Sequence, residues 1–383
     1  MLFKDVHIIG TTGLQNILIQ SGKIKAVSDV AVDAAGSSLS FENAIAFPGL
    51  INSHDHLDFN LFPQTGNHIY PNYTEWGKDI REHNQEAIDD VLKIPRQLRT
   101  QWGMYKNLLN GVTTVVNHGE RLTFANSLIT VFQDAYSLHS IHFENNWKYR
   151  LNRLFKKKGS FVIHVGEGTD ETSCKEINTL IQWNLFNRKL IGVHAVAMNE
   201  VQAARFHAIV WCPASNLFLL NCTAPVNQLK NATQIIFGTD STLTAVWGIW
   251  DHLRLARKTM LLTDTELVAA VTSTAALVWE MNNGVIATGR DADIVIAKDN
   301  RRETDLDSFY SLNPEDILLV VHKGNIRLFD ESLKDQLQRM PFDTKNFSYI
   351  NMNGRRKFVE GDLPALMEEI KKYKADVIFP VKK

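Results

Sequence analysis

At 383 residues the chain is long enough for one large α/β domain with an appendage, or for two domains. Hydrophobic residues make up 44% and charged residues 22%, the proportions of a globular, soluble protein. Lys and Arg total 41 against 42 Asp and Glu, a net charge of -1, which excludes a global field favouring nucleic acid or an anionic membrane. Cys174, Cys212 and Cys222 form no C-x-x-C pair and no disulfide framework. The N-terminal MLFKDVHIIG lacks an apolar signal core, and no run of about 18 apolar residues follows. A cytoplasmic protein is expected.

In chain order, residues 1–45 alternate in short segments at Val6–Ile9, Asn16–Gln20 and Lys23–Val27, punctuated by glycines, which predicts a small β-meander. Strand Ala44–Pro48 leads through Gly49 into a buried run ending in His54-Asp55-His56. Two imidazoles one residue apart on a strand project to one side, with Asp55 pointing away as a supporting carboxylate. Residues 57–110 are too many for a plain connection and hold Phe59, Phe62, Tyr70, Tyr73 and Trp76, so a lid or mouth-lining insertion is expected. Phe62, Tyr73 and Trp76 are candidates to stack on a flat substrate, the alternative being a small core of the insertion itself. Gly111–Asn117 is a β-branched strand closing on His118.

Beyond it the pattern predicts a helix over Ala125–Tyr136, a strand Ser140–Phe143 carrying His142, a helix Trp147–Lys158 and a strand Phe161–His164. The Lys156-Lys157-Lys158 run reads as a solvated helix end, and Arg150 as a surface residue or an anchor for an anionic substrate group. A helix over Glu176–Phe186, strands Leu190–Val193, Ala208–Trp211 and Gln234–Phe237, and a long helix Thr265–Trp279 follow. Strands alternating with helices this many times predict a parallel barrel. Gly284–Lys298 and Ile317–Ile326 return to β segments that would join residues 1–45 in one small β-sandwich, and the tail ends in a helix near Leu363–Tyr373.

Active sites of parallel barrels lie at the carboxyl ends of the strands. That mouth would collect His54, His56, His118, His142, His164, Glu167, His194 and Asp240. Neutral imidazoles with one carboxylate suit Zn2+ or Fe2+ and leave a position for water, whose pKa such an ion lowers. Asp240 fits the role of taking a proton from that water, and Glu167 that of delivering one to a leaving nitrogen.

The motifs PGLINSHDH, IHVGE, GVHAVAM, CPASN, IFGTDS and GVIATGRDADIVI occur in an order that resembles the amidohydrolase superfamily, in its cytosine-deaminase, guanine-deaminase and chlorohydrolase-like branch. The resemblance spans about residues 1–300. It implies a distorted (β/α)8 TIM-like barrel with a β-sandwich built from both termini, and with the residue pattern this gives a barrel over residues 46–283 with a lid over 57–110, a β-sandwich composed of 1–45 and 284–330, and a helical tail over 331–383. It also implies one divalent ion, Zn2+ before Fe2+ or Mn2+, on His54, His56, His164 and Asp240, with His194 beside the reacting centre and a homodimeric assembly. His164-Val165-Gly166-Glu167 matches the branch's H-x-x-E, so Glu167 inherits the proton-shuttle role. Ser215 and Asn216 match a segment that supports the site from behind.

Three departures stand out. No lysine sits at the fourth strand end, which disfavours a binuclear centre. The stretch between His118 and His164 has room for one strand where a barrel supplies two, so one strand is expected to be missing or degenerate. His118 and His142 are not ligands in the branch and are candidates either for contacting substrate or for a purely structural role. The expected activity is hydrolysis of a C–N bond, as an aminohydrolase on a cyclic amidine or purine- or pyrimidine-like ring. Cyclic-amide opening and dehalogenation share the constellation, and a scaffold that has lost catalysis is the reading from another class.

Overall fold

The computed structural model describes residues 1–30, 37–124, 127–153, 159–300 and 304–383. The first five strands, β1 (Leu2–Ile8), β2 (Leu14–Gln20), β3 (Lys23–Ser28), β4 (Ser38–Ser40) and β5 (Ala44–Pro48), come from the predicted meander. Gly49 then lets the chain leave that sheet for β6 (Leu50–Asp55), every residue of which is buried. Seven more strands follow: β7 (Val112–Asn117), β8 (Thr130–Phe132), β9 (Tyr136–Leu138), β10 (Phe161–Val165), β11 (Leu190–His194), β12 (Ala208–Trp211) and β13 (Gln234–Phe237). The chain closes on β14 (Ile294–Lys298), β15 (Ile317–His322), β16 (Asn325–Asp330), β17 (Phe347–Met352) and β18 (Arg355–Glu360).

Strands β6 to β13 form two parallel sheets, one of three strands in the order β6-β7-β8 and one of five in the order β13-β12-β11-β10-β9. Their apolar, β-branched runs suit strands covered on both faces. The sheets approach at one edge, where the N–H groups of Thr239 and Asp240 donate to the His54 carbonyl at 3.1 and 3.0 Å. At the other edge β8 and β9 end separate sheets. Both chain ends build one ten-stranded sheet in the order β17-β18-β16-β15-β14-β5-β1-β2-β3, with β4 beside β1. Apolar side chains on this sheet, among them Phe3, Ile17, Ile294 and Phe329, form a core of their own.

The segment after β6 carries a 3-10 turn, Leu57–Phe59, and three helices, α1 (Tyr73–His83), α2 (Gln85–Leu92) and α3 (Arg96–Leu109). Asn72 caps α1 by accepting the N–H groups of Thr74 and Glu75. Two further helices bear on the site, α4 (Trp147–Asn152) and α5 (Glu171–Trp183). Among the described residues no helix is long and apolar enough to cross a membrane.

The stretch 118–160 departs most from expectation. Residues 130–132 are strand, not part of a helix over Ala125–Tyr136: consecutive Ile129, Thr130 and Val131 favour extended backbone, and Gln133 fastens both main-chain groups of Leu122. The predicted strand Ser140–Phe143 is a turn, closed by the Phe143 N–H on the Ser140 hydroxyl and the Glu144 N–H on the Ser140 carbonyl. The strand instead covers Tyr136–Leu138, so His139, not His142, follows its end. Both strands of the pair are thus present, each cut to three residues. Helix α4 ends at Asn152, and the Lys156-Lys157-Lys158 run lies outside the described residues.

The predicted helix Thr265–Trp279 is two helices, Asp264–Ala270 and Ser273–Val278, broken where the Thr272 hydroxyl turns back on the Val268 carbonyl. The tail holds the expected helix Leu363–Tyr373, but β17 and β18 before it extend the sheet through an Asn353-Gly354 hairpin turn.

Candidate metal centre and active site

Strand β6 delivers His54 and His56 to one point. His54 Nε2 lies 3.1 Å from His164 Nε2 at the end of β10. Asp240 Oδ1, just past β13, lies 3.7 Å from His54 Nε2 and 3.6 Å from His56 Nε2. Ligand atoms of His54, His56 and His164 fall within 4.8 Å of one another, as do those of His54, His194 and Asp240. Burial and the neighbouring imidazoles push the His54 and His164 pKa values well below the usual range, and burial lowers His194 to about 4. Burial would raise Asp240, but the facing His56 and His194 rings and the hydroxyls of Ser215 and Thr244 outweigh it and keep the carboxylate ionised.

Neutral imidazoles crowding an ionised carboxylate are the protonation states a divalent ion requires. Two imidazole nitrogens 3.1 Å apart share at most one proton, and a cation between them removes their lone-pair repulsion. The residues present therefore fit a metal-binding cluster of three His and one Asp.

The supports are specific. Ser215 and Thr244 donate to Asp240 Oδ2 at 3.0 and 3.1 Å, and the Ser241 N–H donates to Oδ1 at 2.9 Å. Asn216 Nδ2 lies 2.9 Å from His194 Nδ1. With that amide donating, His194 carries its ring proton on Nε2, which lies 3.6 Å from Glu167 Oε2. His194 and Asp240 both adopt left-handed backbone, at φ 72° and 56°, a strain concentrated at the two strand ends that turn into the site.

Gly238 sits where β13 crosses closest to β6. A Cβ there would stand 2.7 Å from His54 Cβ. Gly238→Ala is expected to push Asp240 away from His54 and weaken metal binding by about 10–100-fold, measured by competition with a chelator.

Asp55 projects to the opposite side of β6. It accepts hydrogen bonds from Asn60 at 2.7 Å, Asn107 at 2.9 Å, Asn52 at 3.2 Å and the Lys106 ammonium at 3.2 Å. Asn52 also joins Thr239, at 2.8 Å to the hydroxyl and 3.0 Å from the backbone N–H. This buried network ties β6, α3 and the end of β13 together.

A cavity of about 620 Å3 opens outward from the cluster. Its inner end holds His56, His164, His194, Asp240 and Glu167, and its wall includes Phe59, Tyr73, Trp76 and Phe143. Burial, then the charges of Asp240 and Glu176, push the Glu167 carboxyl well above the usual range. It is a carboxylic acid facing the site. His142 lines the cavity, and so does His139, which sequence reasoning missed through the misplaced strand end. Phe62 does not line it: the ring is buried against Phe59 at 5.4 Å, with the Arg99 guanidinium over its face.

His118 is buried, its ring 4.4 Å from that of His164 and 5.1 Å from that of His54. It faces a second cavity, outside the sheets and shared with Arg150, instead of the substrate cavity. Arg150 pairs with Glu144 and donates to the Ser137 carbonyl at 2.8 Å.

Against known sequences, the Amidohydrolase family matches residues 140–327. A 5-methylthioadenosine/S-adenosylhomocysteine deaminase of Caldicellulosiruptor saccharolyticus is 26% identical over 87% of this chain and 94% of its own length. These likenesses support placing the chain in the amidohydrolase superfamily. A 5'-deoxyadenosine deaminase of Methanocaldococcus jannaschii is 23% identical, over 63% of this chain and 69% of its own. Among solved structures, an adenosine deaminase from Xanthomonas campestris with bound zinc superimposes with a TM-score of 0.74 at 17% identity, over 98% of both chains. Atrazine chlorohydrolase from Arthrobacter aurescens superimposes at 0.65, with 17% identity over 85% of this chain and 94% of its own. The deaminase and chlorohydrolase-like branch is the one these likenesses support, and the protein is a hydrolase of C–N bonds.

Proposed function

We propose that this protein is an aminohydrolase acting on an amino-substituted purine- or pyrimidine-like ring or cyclic amidine. The observation that carries the reading is the buried Glu167 carboxyl 3.6 Å from His194, its pKa raised by that burial, above a cluster of three His and one Asp at the end of an aromatic-lined cavity. His54, His56, His164 and Asp240 would hold one divalent ion, zinc before iron or manganese. When bound, the ion supplies Lewis acidity that lowers the pKa of a water ligand.

The chain's own residues do the rest. Asp240 Oδ1 accepts the proton that the attacking water gives up. The His194 Nε2–H donates to the atom on which negative charge develops. Glu167 Oε2–H protonates the leaving nitrogen, releasing ammonia. Phe59, Tyr73, Trp76 and Phe143 offer faces for a flat ring, with His139 and His142 at its edge.

The relatives named above are deaminases of adenosine-type nucleosides, which favours a purine within this class. The likeness to atrazine chlorohydrolase supports, as a second reading, hydrolytic loss of a ring substituent other than an amine. A non-catalytic scaffold fits poorly with an intact cluster and a shaped cavity.

In the same reading the two parallel sheets are a (β/α)8 barrel over residues 46–283, joined at β13 and β6 and breached between β8 and β9. The ten-stranded sheet is the composite β-sandwich, to which residues 347–360 are added, and a homodimer is the proposed assembly.

The purified protein is expected to hold about one divalent ion per chain, by elemental analysis, and to release ammonia from an aminopurine nucleoside. Chelation should abolish turnover and zinc restore it. A fully active metal-free protein contradicts the reading. The pH profile has a definite sign. The acid form of Glu167 is needed, so kcat should fall as pH rises through its raised pKa. His54, His164 and His194 must stay neutral, so on their account activity persists on the acid side until their lowered pKa values are reached.

A further inference from the structure

Glu176 is 2% exposed, two turns into α5, and has no part in the chemistry above. Its two oxygens face two different walls of the cavity. Oε1 accepts the Tyr73 hydroxyl from α1 at 3.2 Å, and Oε2 accepts the Gly166 N–H from the loop after β10 at 3.3 Å. Tyr73 closes the triangle, because its own N–H donates to the Glu167 carbonyl at 3.0 Å. Its ring lines the substrate cavity.

A second set of contacts runs alongside. Asn72, the cap of α1, donates to Asp170, the cap of α5, at 2.7 Å. The Thr169 N–H donates to the Pro71 carbonyl at 2.8 Å. Gly168 lies so close that a Cβ would stand 2.1 Å from the Ser173 hydroxyl and 2.6 Å from Asn72 Cβ. Only glycine fits that contact.

We propose that Glu176 and Tyr73 form an internal strut that seats α1 on the Glu167 loop, so that closure of the substrate cavity and placement of the proton-donating carboxyl are one structural event. The inference rests on the role given to Glu167 above. Glu176 is a positioning residue: it touches neither the cluster nor the cavity.

The titratable groups facing it are Glu167, Asp170 and Tyr73, and among the described residues no cation pairs with it. Burial, ahead of the two hydrogen bonds that oppose it, raises Glu176 to about 8. At neutral pH the strut is an uncharged acid bridging the two walls. Above that value it becomes a second negative charge behind Glu167, and α1 loosens.

Three variants test this. Glu176→Gln keeps an uncharged donor and acceptor at every pH. Glu176→Leu keeps the volume, leaves the Gly166 N–H unpaired and takes the carboxyl acceptor from the Tyr73 hydroxyl. Tyr73→Phe keeps the cavity face and loses the strut.

Amide hydrogen exchange of residues 73–83 and 166–170 should rise by about tenfold in Glu176→Leu and Tyr73→Phe and stay unchanged in Glu176→Gln. Metal content should be equal in all. On any turned-over substrate, kcat should fall by about tenfold or more in the first two and be retained in Glu176→Gln, which also loses the wild-type rise in KM near pH 8. Unchanged exchange in Glu176→Leu, or equal defects in the Gln and Leu variants, would overturn the strut. Exchange changes without any substrate being found would instead count against the aminohydrolase reading alone.

Discussion

Glu167→Gln is expected to retain the metal of the wild-type protein and lose roughly 10²–10⁴-fold in kcat, the range of a positioned general acid. The amide preserves the volume and polarity of a buried side chain 3.6 Å from His194 Nε2, so fold and metal content should stand. What it removes is an acidic proton. Burial, and after it the negative charge of Asp240, push the Glu167 carboxyl well above the usual range and so favour keeping that proton. A substrate whose leaving group needs no protonation should be spared in the same variant. Comparing it with an amine substrate therefore separates proton donation from simple disturbance of the site. Near-normal turnover of the amine would sink the role.

Lys106→Met should lower the stability by about 3–5 kcal/mol, the cost of removing one partner of a buried ion pair. Lys106 and Asp55 are both almost inaccessible, and the ammonium also donates to Asn60 Oδ1 at 2.7 Å. Met fills the space but leaves the Asp55 charge with amide donors only and Asn60 Oδ1 without its partner. Because Asp55 sits between His54 and His56, metal affinity should fall as well. Denaturant unfolding of metal-loaded and metal-depleted protein reads both effects. An unchanged midpoint in both forms would show that the amides of Asn52, Asn60 and Asn107 alone neutralise Asp55.

Much of this was legible in the sequence, for identifiable reasons. The strands carrying His164 and His194 and the one just before Asp240 are short and largely apolar, and burial on both faces demands such runs. The candidate ligands sit at their ends, so they could be placed before any contact was known. Asp55 could be assigned to the opposite side from alternation alone.

The stretch around β8 and β9 was not legible, because three-residue strands carry too little pattern. Their extended form is settled by pairing with β7 and β10, distant in sequence. That error cost His139, which took no part in the expected site. Phe62 looked like its aromatic neighbours and differs from them only by facing inward. The Asn353-Gly354 hairpin had a readable turn signal that the helical ending of the tail obscured. Glu176 lay two helical turns from any motif, and only the fold brings it to Tyr73.

The central claim is that this cluster and Glu167 deaminate a nitrogen heterocycle. The most direct measurement is ammonia release by zinc-loaded protein from a panel of aminopurine nucleosides and aminopyrimidines, with Glu167→Gln as the matched control. Ammonia formed in equal amount to the oxo product, and lost in the control, is the expected result. No ammonia from any member of the panel, with chloride or a ring-opened acid released instead from halogenated or lactam analogues, would contradict it.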